Sequence, residues 1–187
     1  MKVYSTMFTD VFLFEPDVFF DERGYFMEAY NEKTFRNHGL SFAFIQDNQS
    51  FSDRTGILRG MHYQLEDKAQ TKLIRVVKGA IWDCVVDLRK GSPTYKKWQG
   101  FLLSSDNKKQ LLVPKGFAHG FCTMTEKTEV LYKVDEYYSP EHERGFCWND
   151  MELNIHWPVK KPILSVKDAK LPPLSKAEMN FFWRGGS

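Results

Sequence analysis

The sequence predicts a mainly β protein, folded as a jelly-roll barrel with a few short peripheral helices. From Thr71 onward, short runs rich in Val, Ile, Leu, Phe and Tyr alternate with Gly, Pro, Asn and Asp, which is typical of strands joined by turns. Many short strands at close spacing favour a barrel or sandwich over a βαβ sheet. A chain of 187 residues, 42% of them hydrophobic, buries one substantial core rather than two. We therefore interpret residues 1–187 as a single domain.

The predicted strands follow one another through short turns. Lys78-Gly79 is a turn between strands at 73–77 and 81–88, and Gly91-Ser92-Pro93 ends the second of these strands. Ser105-Asp106-Asn107 forms a later turn. Further strands are predicted at 98–103, 110–113, 117–124 and 129–134.

Helix is predicted only at the margins of the chain. A short helix over 32–37 has Asn31 as its N-cap and Gly39 as its stop signal. A second helix is predicted over 175–182. Prolines crowd the stretch before it, so we expect that stretch to lie over the barrel rather than to add a strand. They are Pro158, Pro162, Pro172 and Pro173.

The charge balance and the absence of long apolar runs exclude several classes of function. With 26 basic and 24 acidic side chains, the formal net charge of +2 cannot supply a nucleic-acid footprint, so anion recognition must be local. The first segment carries Lys2 but no apolar run of the signal-peptide kind, and no stretch approaches the roughly 18 apolar residues of a membrane span. We therefore expect a cytoplasmic protein that binds neither nucleic acid nor membrane.

The cysteines do not indicate a disulfide or zinc scaffold. Cys84, Cys122 and Cys147 are odd in number and form no CxxC pair, so we expect buried reduced thiols. Gly185-Gly186-Ser187 is interpreted as a flexible end or an added tail without functional signal.

Two spaced motifs resemble those of the cupin superfamily, whose barrels usually hold a metal through three His and one Glu. They are Gly56-x5-His62-x-Gln64, closed by Gly79, and Pro114-x-Gly116-x-x-His119. Gln64 stands at the position of the second His, and neither Lys68 nor Ala69 supplies the Glu. A neutral amide is a poor ligand for zinc or iron. The resemblance therefore implies the cupin fold without its metal, and we expect no metal and no other cofactor.

The resemblance narrows at Leu58-Arg59-Gly60-Met61-His62-Tyr63-Gln64, which is similar to the dTDP-4-dehydrorhamnose 3,5-epimerase family. Further motifs of that family follow in order through nearly the whole chain: Asp21-Glu22-Arg23-Gly24, Gln46-Asp47-Asn48, Thr71-Lys72-Leu73, Pro114-x-Gly116-Phe117-Ala118-His119-Gly120-Phe121, Tyr132-Lys133, Tyr137-Tyr138-Ser139-Pro140, Trp148-Asn149-Asp150 and Leu164-Ser165-x-Lys167-Asp168. Met61 for Leu and Tyr63 for Phe depart from the usual family residues but preserve size and apolarity. The resemblance implies an isomerase of dTDP-L-rhamnose biosynthesis, which inverts C3 and C5 of dTDP-4-dehydro-6-deoxy-D-glucose to give dTDP-4-dehydro-L-rhamnose.

Four residues carry the chemistry that this resemblance implies. Removing a proton from a carbon next to a ketone requires a base of near-neutral pKa and an electrophile for the developing enolate. By resemblance, His62 is the base and Asp168 is the carboxylate that orients it. Lys72 would stabilise the enolate, and Tyr132 would return a proton to the opposite face. From the residues alone, Lys72 would be a surface lysine and Tyr132 a core aromatic.

The resemblance also implies a binding site for a nucleotide sugar. Arg23, Arg59 and Lys167 are expected at the phosphates, because guanidinium groups bind phosphate oxygens bidentately. Tyr138 is expected to stack on the base. The remaining substrate-contacting positions are Glu28, Gln46, Asp47, Asn48, Lys72, His119 and Glu143.

Members of the family pair as homodimers that exchange an N-terminal strand, and by resemblance Arg23 would reach the neighbouring subunit's nucleotide site. The segment 11–20 is apolar and β-like, and as an unpaired edge strand it would favour association. We therefore expect a homodimer with shared sites.

Three other functions stay open at the level of the residues. A close variant would invert only C3 or C5 of a related nucleotide 4-keto-6-deoxy sugar, because residue identities do not show whether the sugar ring flips within the pocket. A metal-dependent cupin and a non-catalytic sugar-nucleotide binder are less favoured. The binder would have no need for a base, an orienting acid, an electrophile and an opposing tyrosine together.

Overall fold

The computed structural model describes residues 1–185 and is mainly β, as predicted. In chain order the strands are β1 (Lys2–Ser5), β2 (Phe12–Glu15), β3 (Val18–Asp21), β4 (Gly24–Met27), β5 (Gln46–Ser52), β6 (Leu58–Gln64), β7 (Lys72–Lys78), β8 (Ala80–Asp87), β9 (Trp98–Ser104), β10 (Gln110–Val113), β11 (Phe117–Thr123), β12 (Thr128–Val134) and β13 (Glu143–Gly145). The helical elements are α1 (Glu32–Asn37) and 3₁₀ turns at Glu66–Lys68, Asp168–Lys170 and Leu174–Lys176. The end of the predicted tail, Gly186 and Ser187, lies outside the described residues.

Two antiparallel sheets pack face to face as a β-sandwich. The six-stranded sheet has the order β1-β2-β10-β7-β12-β5, and the five-stranded sheet has the order β13-β6-β11-β8-β9. Ile74 and Val130 of the first sheet share one core with Val85 and Phe121 of the second. Burial of such apolar side chains is the dominant favourable term in folding. The strands predicted between residues 73 and 134 all form, each within one residue of its predicted bounds.

The predicted helix over 32–37 is confirmed, and its local signals explain it. Asn31 Oδ1 accepts hydrogen bonds from the backbone N–H groups of Lys33 and Thr34, at 2.9 and 3.3 Å. Phe35 is the buried residue of the helix, and its ring packs against Phe14 of β2. The helix is therefore fixed by one cap and one buried aromatic.

The predicted helix over 175–182 is wrong. Only a 3₁₀ turn forms there, and Phe182 makes a parallel bridge with Lys90. Burial alternates along this segment, with Ala177, Met179 and Phe181 turned inward and the residues between them exposed. A period of two is the pattern of an extended chain. The C-terminal segment therefore covers the outer face of the five-stranded sheet, where Phe181 joins a second core.

The N-terminal segment divides at Pro16 into two different structures. Strand β2 lies inside the six-stranded sheet, between β1 and β10. Strands β3 and β4 form a separate hairpin. The hairpin exposes four large aromatic side chains, which are Phe19 at 64%, Phe20 at 75%, Tyr25 at 51% and Phe26 at 72%. The apolar surface of this end of the molecule is therefore concentrated on the hairpin.

Two further features bear on the sequence predictions. All three cysteines are free thiols, with Cys84 and Cys122 buried and Cys147 partly exposed. Among the helices of residues 1–185, none has the length and apolarity needed to cross a membrane.

Candidate active site

A cavity of about 420 Å³ opens between the two sheets, and seven of the predicted site residues line it. They are Arg59, His62, Lys72, His119, Tyr132, Lys167 and Asp168. An adjoining cavity of about 350 Å³ shares His62, Lys72 and Tyr132 with the first. It adds four more predicted residues, Gln46, Asn48, Tyr138 and Glu143. The two cavities therefore form one cleft, with His62, Lys72 and Tyr132 at its middle.

Strand β6 places two functional side chains on one face although they lie three residues apart. Strand β11 pairs His119 with His62, and pairs the residue two positions further along with Arg59, so β6 has one extra residue between these pairs. A bulge of this kind changes which residues face the interior. Gly60 has φ +127°, and a Cβ there would lie 2.6 Å from the Cα of Gly120. The close approach of the two strands thus requires glycine, and it brings both Arg59 and His62 into the cavity.

The structure brings His62 and Asp168 into direct contact. His62 Nε2 lies 2.6 Å from Asp168 Oδ1, and the backbone N–H of Asp168 donates to Ser165 Oγ at 3.0 Å. Burial by itself would raise the pKa of Asp168, but the hydrogen bond with His62 and the attraction to its charge outweigh burial and lower that pKa. Because Nε2 faces the carboxylate, Nδ1 is the nitrogen left to the cavity. The His62 side chain retains 26% exposure, so a substrate can reach it.

Lys72 points into the same cavity from the other sheet. It begins β7 and shares its face with Ile74 and Val76, which belong to the main core. Burial lowers the pKa of its ammonium group, while the charges of Glu143 and Asp83 act in the opposite direction. A cation in such a poorly hydrated place interacts strongly with a developing negative charge.

Asp83 is a site residue that sequence reasoning missed. Its Oδ2 lies 2.8 Å from His119 Nε2, and its side chain is completely buried. Its Oδ1 has no hydrogen-bond partner among residues 1–185. Burial raises the pKa of Asp83, and the charges of His119 and Lys72 oppose that rise. The sequence signal for Asp83 was its position between Ile81 and Val85 on the apolar face of one strand. Because a buried charge is costly unless it is paired, a carboxylate at such a position indicates a partner.

Tyr132 and His62 face the cavity from opposite sheets. Tyr132 lies on β12 of the six-stranded sheet, whereas His62 lies on β6 of the five-stranded sheet. Burial raises the pKa of Tyr132, with Arg59 opposing that effect and Glu143 adding to it. The phenol therefore keeps its proton at neutral pH.

Glu143 links two of the predicted binding residues. Its Oε2 accepts a hydrogen bond from the Tyr138 hydroxyl at 2.6 Å and lies 2.5 Å from Lys167 Nζ. Burial alone would raise the pKa of Glu143, but the bonds from Lys167 and Tyr138 hold it below its ordinary value. On β5, the Gln46 amide donates to Asn48 Oδ1 at 2.8 Å. These contacts give the second cavity a connected polar wall.

The residues at the cupin metal position do not fit a metal. His62 and His119 each direct Nε2 at a carboxylate, and Gln64 uses its amide in three hydrogen bonds to main-chain atoms. Within residues 1–185, no three or more His, Cys, Asp and Glu side chains come together in a way that could hold a metal ion. Two histidines without a third imidazole or a glutamate are too few ligands for the metal of a cupin, and the amide at the third position is bonded to backbone.

Three predicted binding residues lie away from His62 in the single chain. Arg23 is on the turn between β3 and β4, pairs with Asp21 at 2.5 Å and is 85% exposed. Glu28 and Asp47 line a third cavity of about 390 Å³, which Tyr132 also borders but His62 does not, and Asp47 pairs there with Lys133 at 2.9 Å. Asp47 faces away from the cleft because side chains alternate along a strand, and its neighbours Gln46 and Asn48 face in.

The two facing sheets have the cupin fold, and the residues predicted to be catalytic, His62, Lys72, Tyr132 and Asp168, line one cavity between them. The family model described as dTDP-4-dehydrorhamnose 3,5-epimerase matches residues 5–176. The chain belongs to this family and is an isomerase.

Individual relatives agree in sequence and in structure. A dTDP-4-dehydrorhamnose 3,5-epimerase from Shigella flexneri is 52% identical over 169 residues, which cover 90% of this chain and 93% of the relative. The crystal structure of such an enzyme from Bacillus anthracis str. Ames, with TDP and PPi bound, has a TM-score of 0.91 and 58% identity, covering 92% of this chain and 99% of that one. A dTDP-6-deoxy-D-glucose-3,5-epimerase from Legionella pneumophila Philadelphia 1, in complex with dTDP-4-keto-L-rhamnose, has a TM-score of 0.89 and 40% identity, covering 94% of this chain and 93% of that one.

Proposed function

We propose that this chain converts dTDP-4-dehydro-6-deoxy-D-glucose into dTDP-4-dehydro-L-rhamnose by inverting C3 and C5. The observation that carries the proposal is the placement of His62, with its Asp168 partner, across one cavity from Tyr132. Inversion requires removal of a proton from one face of a carbon and its return to the other face, so acid and base must approach from different sides. The names and bound ligands of the relatives support the choice of a dTDP sugar. We expect the reaction in the cytoplasm, where the three free thiols would stay reduced.

His62 is the proposed base. The Nε2 hydrogen bond to Asp168 fixes the ring and leaves Nδ1 to accept the proton on C3 or C5. The C–H electron pair moves into an enolate, which places negative charge on the oxygen at C4. The ionised Asp168 stabilises the imidazolium that forms.

Lys72 is the proposed electrophile for the enolate oxygen. Its ammonium attracts an enolate more than a neutral ketone, so it lowers the barrier rather than merely tightening binding. Asp83 and Glu143 favour its charged form against the effect of burial. His119, held by Asp83, lines the same cavity and is proposed to contact the sugar.

Tyr132 is the proposed acid. Its raised pKa keeps the phenol protonated until the enolate carbon takes the proton. Inversion of one carbon leaves His62 protonated and Tyr132 deprotonated. Both groups must return to their starting states before the second carbon reacts.

The nucleotide end is proposed to bind at Arg59 and Lys167, with Tyr138 stacked on the base. Arg59 is supported in the cavity by a hydrogen bond from Nη2 to the carbonyl of Phe51 at 3.0 Å. Gln46, Asn48 and Glu143 are proposed to contact the substrate from the second cavity.

We also propose a homodimer in which Arg23 and Glu28 act on the partner's cavity. The exposed aromatic hairpin supports association, because apolar patches of this kind are usually covered. Mixing inactive variants tests it. Arg23→Ala and His62→Ala homodimers should each be nearly inactive, while co-refolded heterodimers should recover one working site.

The matched control for mixing combines Lys72→Ala with His62→Ala. Both changes fall in a chain's own cavity, so these heterodimers should stay inactive. An active monomer by light scattering, or no recovery in the first mixture despite confirmed exchange of chains, would refute shared sites.

The proposed reaction is tested by incubating the enzyme with dTDP-4-keto-6-deoxyglucose in deuterated water and following C3 and C5 by NMR. Inverted product labelled at both carbons is expected. Label and inversion at a single carbon would replace the proposal with a single-carbon epimerase, and the absence of both would overturn epimerisation.

A further inference from the structure

Gln64 forms a buried bridge between three main-chain groups. Its side chain is 5% exposed and belongs to β6, two residues beyond His62. Nε2 donates to the carbonyl oxygens of Lys68, at 2.5 Å, and Tyr137, at 3.2 Å. Oε1 accepts from the backbone N–H of Ser139 at 2.7 Å. Both N–H groups of the amide and its oxygen are therefore used to hold backbone.

Tyr138 lies between the two bonded positions, Tyr137 and Ser139, in the segment 137–139. Its ring is 53% exposed and lines the second cavity, so little packing restrains it. Its hydroxyl donates to Glu143, and Glu143 is the residue paired with Gln64 in the β13–β6 ladder. One end of Tyr138 is thus held through its backbone by Gln64, and the other end through its hydroxyl by Glu143.

We propose that Gln64 is a positioning residue for the nucleotide end of the substrate, which fixes the segment 137–139 so that Tyr138 is presented to the base. The inference rests on the proposed function, in which Tyr138 stacks on that base. A side chain already held in its bound orientation loses less conformational freedom when ligand binds. The strand position that offers a metal ligand in cupins thereby serves nucleotide affinity.

This arrangement predicts an effect on binding rather than on chemistry. Within residues 1–185, Gln64 makes no hydrogen bond to His62, Lys72, Tyr132 or Asp168. Loss of the Gln64 side chain should free the segment 137–139 and leave the proton-transfer groups in place. KM for the nucleotide sugar and Kd for dTDP should rise together, while kcat should change little.

The experiment uses the full-length chain with Gln64→Met, which removes all three hydrogen bonds, and Gln64→Glu, which keeps the acceptor for Ser139 and removes the donors. Calorimetry with dTDP and steady-state kinetics are measured for each. We expect Kd and KM to rise about tenfold, which corresponds to about 1.4 kcal/mol. We expect kcat to stay within about threefold of wild type, since none of the proton-transfer groups is changed. Gln64→Glu keeps the test decisive if Gln64→Met fails to fold.

Tyr63→Phe is the matched control. Tyr63 neighbours Gln64 on β6, and its hydroxyl donates to the backbone carbonyl of Glu178 at 2.6 Å, so it too is a buried clamp on main chain. Its loss should lower the thermal unfolding midpoint without raising KM. An equal rise in KM for Tyr63→Phe would show that general loosening explains the Gln64 result, and would overturn the inference.

A double-mutant cycle separates action through Tyr138 from action by another route. In a Tyr138→Ala background, Gln64→Glu should raise KM and Kd little further, because the group it positions is gone. Fully additive effects, or a loss of kcat with unchanged Kd, would overturn the inference. If the wild type neither binds dTDP nor turns over the sugar, the proposed function fails and the inference with it. Normal binding by the Gln64 variants would overturn the inference alone.

Discussion

The molecule has two histidine–aspartate contacts, one between His62 and Asp168 and one between His119 and Asp83. The two histidines lie opposite each other on the neighbouring strands β6 and β11. Asp168 comes from a 3₁₀ turn near the C-terminus, and His62 retains 26% exposure. Asp83 lies inside the sandwich with 0% exposure, and His119 retains 11%. The pKa of Asp168 is lowered, whereas that of Asp83 is raised by burial.

From the difference between the pairs we infer that the surroundings of the carboxylate assign the role of each histidine. A carboxylate whose pKa is lowered stays ionised and favours an imidazolium, which suits a base that takes up a proton. The fully buried Asp83 instead holds the ring of His119 through the contact between its Oδ2 and His119 Nε2.

The largest effect is expected for His62→Ala. A positioned base contributes roughly 10²- to 10⁴-fold to rate, so kcat/KM should fall by about that factor with the fold intact. His119→Ala is the matched control and should lose much less, because its ring is not the base. Steady-state kinetics and circular dichroism on both variants make the comparison. A loss in His119→Ala equal to that in His62→Ala would end the distinction between the two pairs.

Tyr132→Phe is expected to separate proton removal from inversion. Product formation should fall by about 10²-fold, the lower range for a general acid. Exchange of substrate protons with deuterated solvent should persist, since His62 still works. NMR of recovered substrate measures exchange, and chromatography measures product. Loss of both activities to the same extent would show that Tyr132 is not specifically the acid.

Local signals in the sequence were enough to predict some elements of the fold but not others. The helix over 32–37 was predictable because the residues that fix it, the N-cap Asn31 and the buried Phe35, lie next to it or within it. The segment 175–182 was not, because its conformation is set by the bridge to Lys90, far away in sequence. From the residues alone Lys72 would be a surface lysine, and only the packing of β7 against the other sheet turns its face toward the core.

The site residues also divide into those that the local sequence predicts and those that depend on contacts far away in sequence. Family motifs named the residues that line the cleft, but Asp83 lies outside those motifs in an apolar run. That Arg59 and His62 share a face depends on a bulge, which simple strand alternation would not predict. The position of Arg23 depends on a second chain in the proposed dimer.

Asp83→Asn should have a smaller effect with a distinctive pH dependence. Burial already lowers the pKa of Lys72 from the usual 10.5, and the charge of Asp83 opposes that shift. Removing a negative charge disfavours the protonated ammonium, so the pKa of Lys72 should fall further. The alkaline limb of kcat/KM should therefore move to lower pH, with a loss of about tenfold near neutrality, as for other electrostatic contributions of moderate size. An unshifted alkaline limb would contradict the coupling of Asp83 to Lys72.

Chelation is expected to have the smallest effect of all. Gln64 is bonded to backbone and leaves only two histidines at this position, so exhaustive EDTA treatment should leave kcat/KM unchanged. The treated enzyme is compared with one supplemented with Zn²⁺, Mn²⁺ or Fe²⁺. Activity lost on chelation and restored by one of these ions would mean that the two pairs rearrange to bind metal.

The bulge in β6 has a consequence for the length of the substrate. Arg59 and His62 project from one strand three residues apart, a span of at most about 10 Å at roughly 3.3 Å per residue. If Arg59 holds a phosphate and His62 reaches the sugar ring, a single rigid strand fixes the spacing between anionic linker and reacting carbon. A sugar joined through one phosphate instead of two would then occupy the cleft with its reacting carbon displaced from His62. The enzyme would select the diphosphate linkage by its length, independently of how well it recognises the base or the sugar.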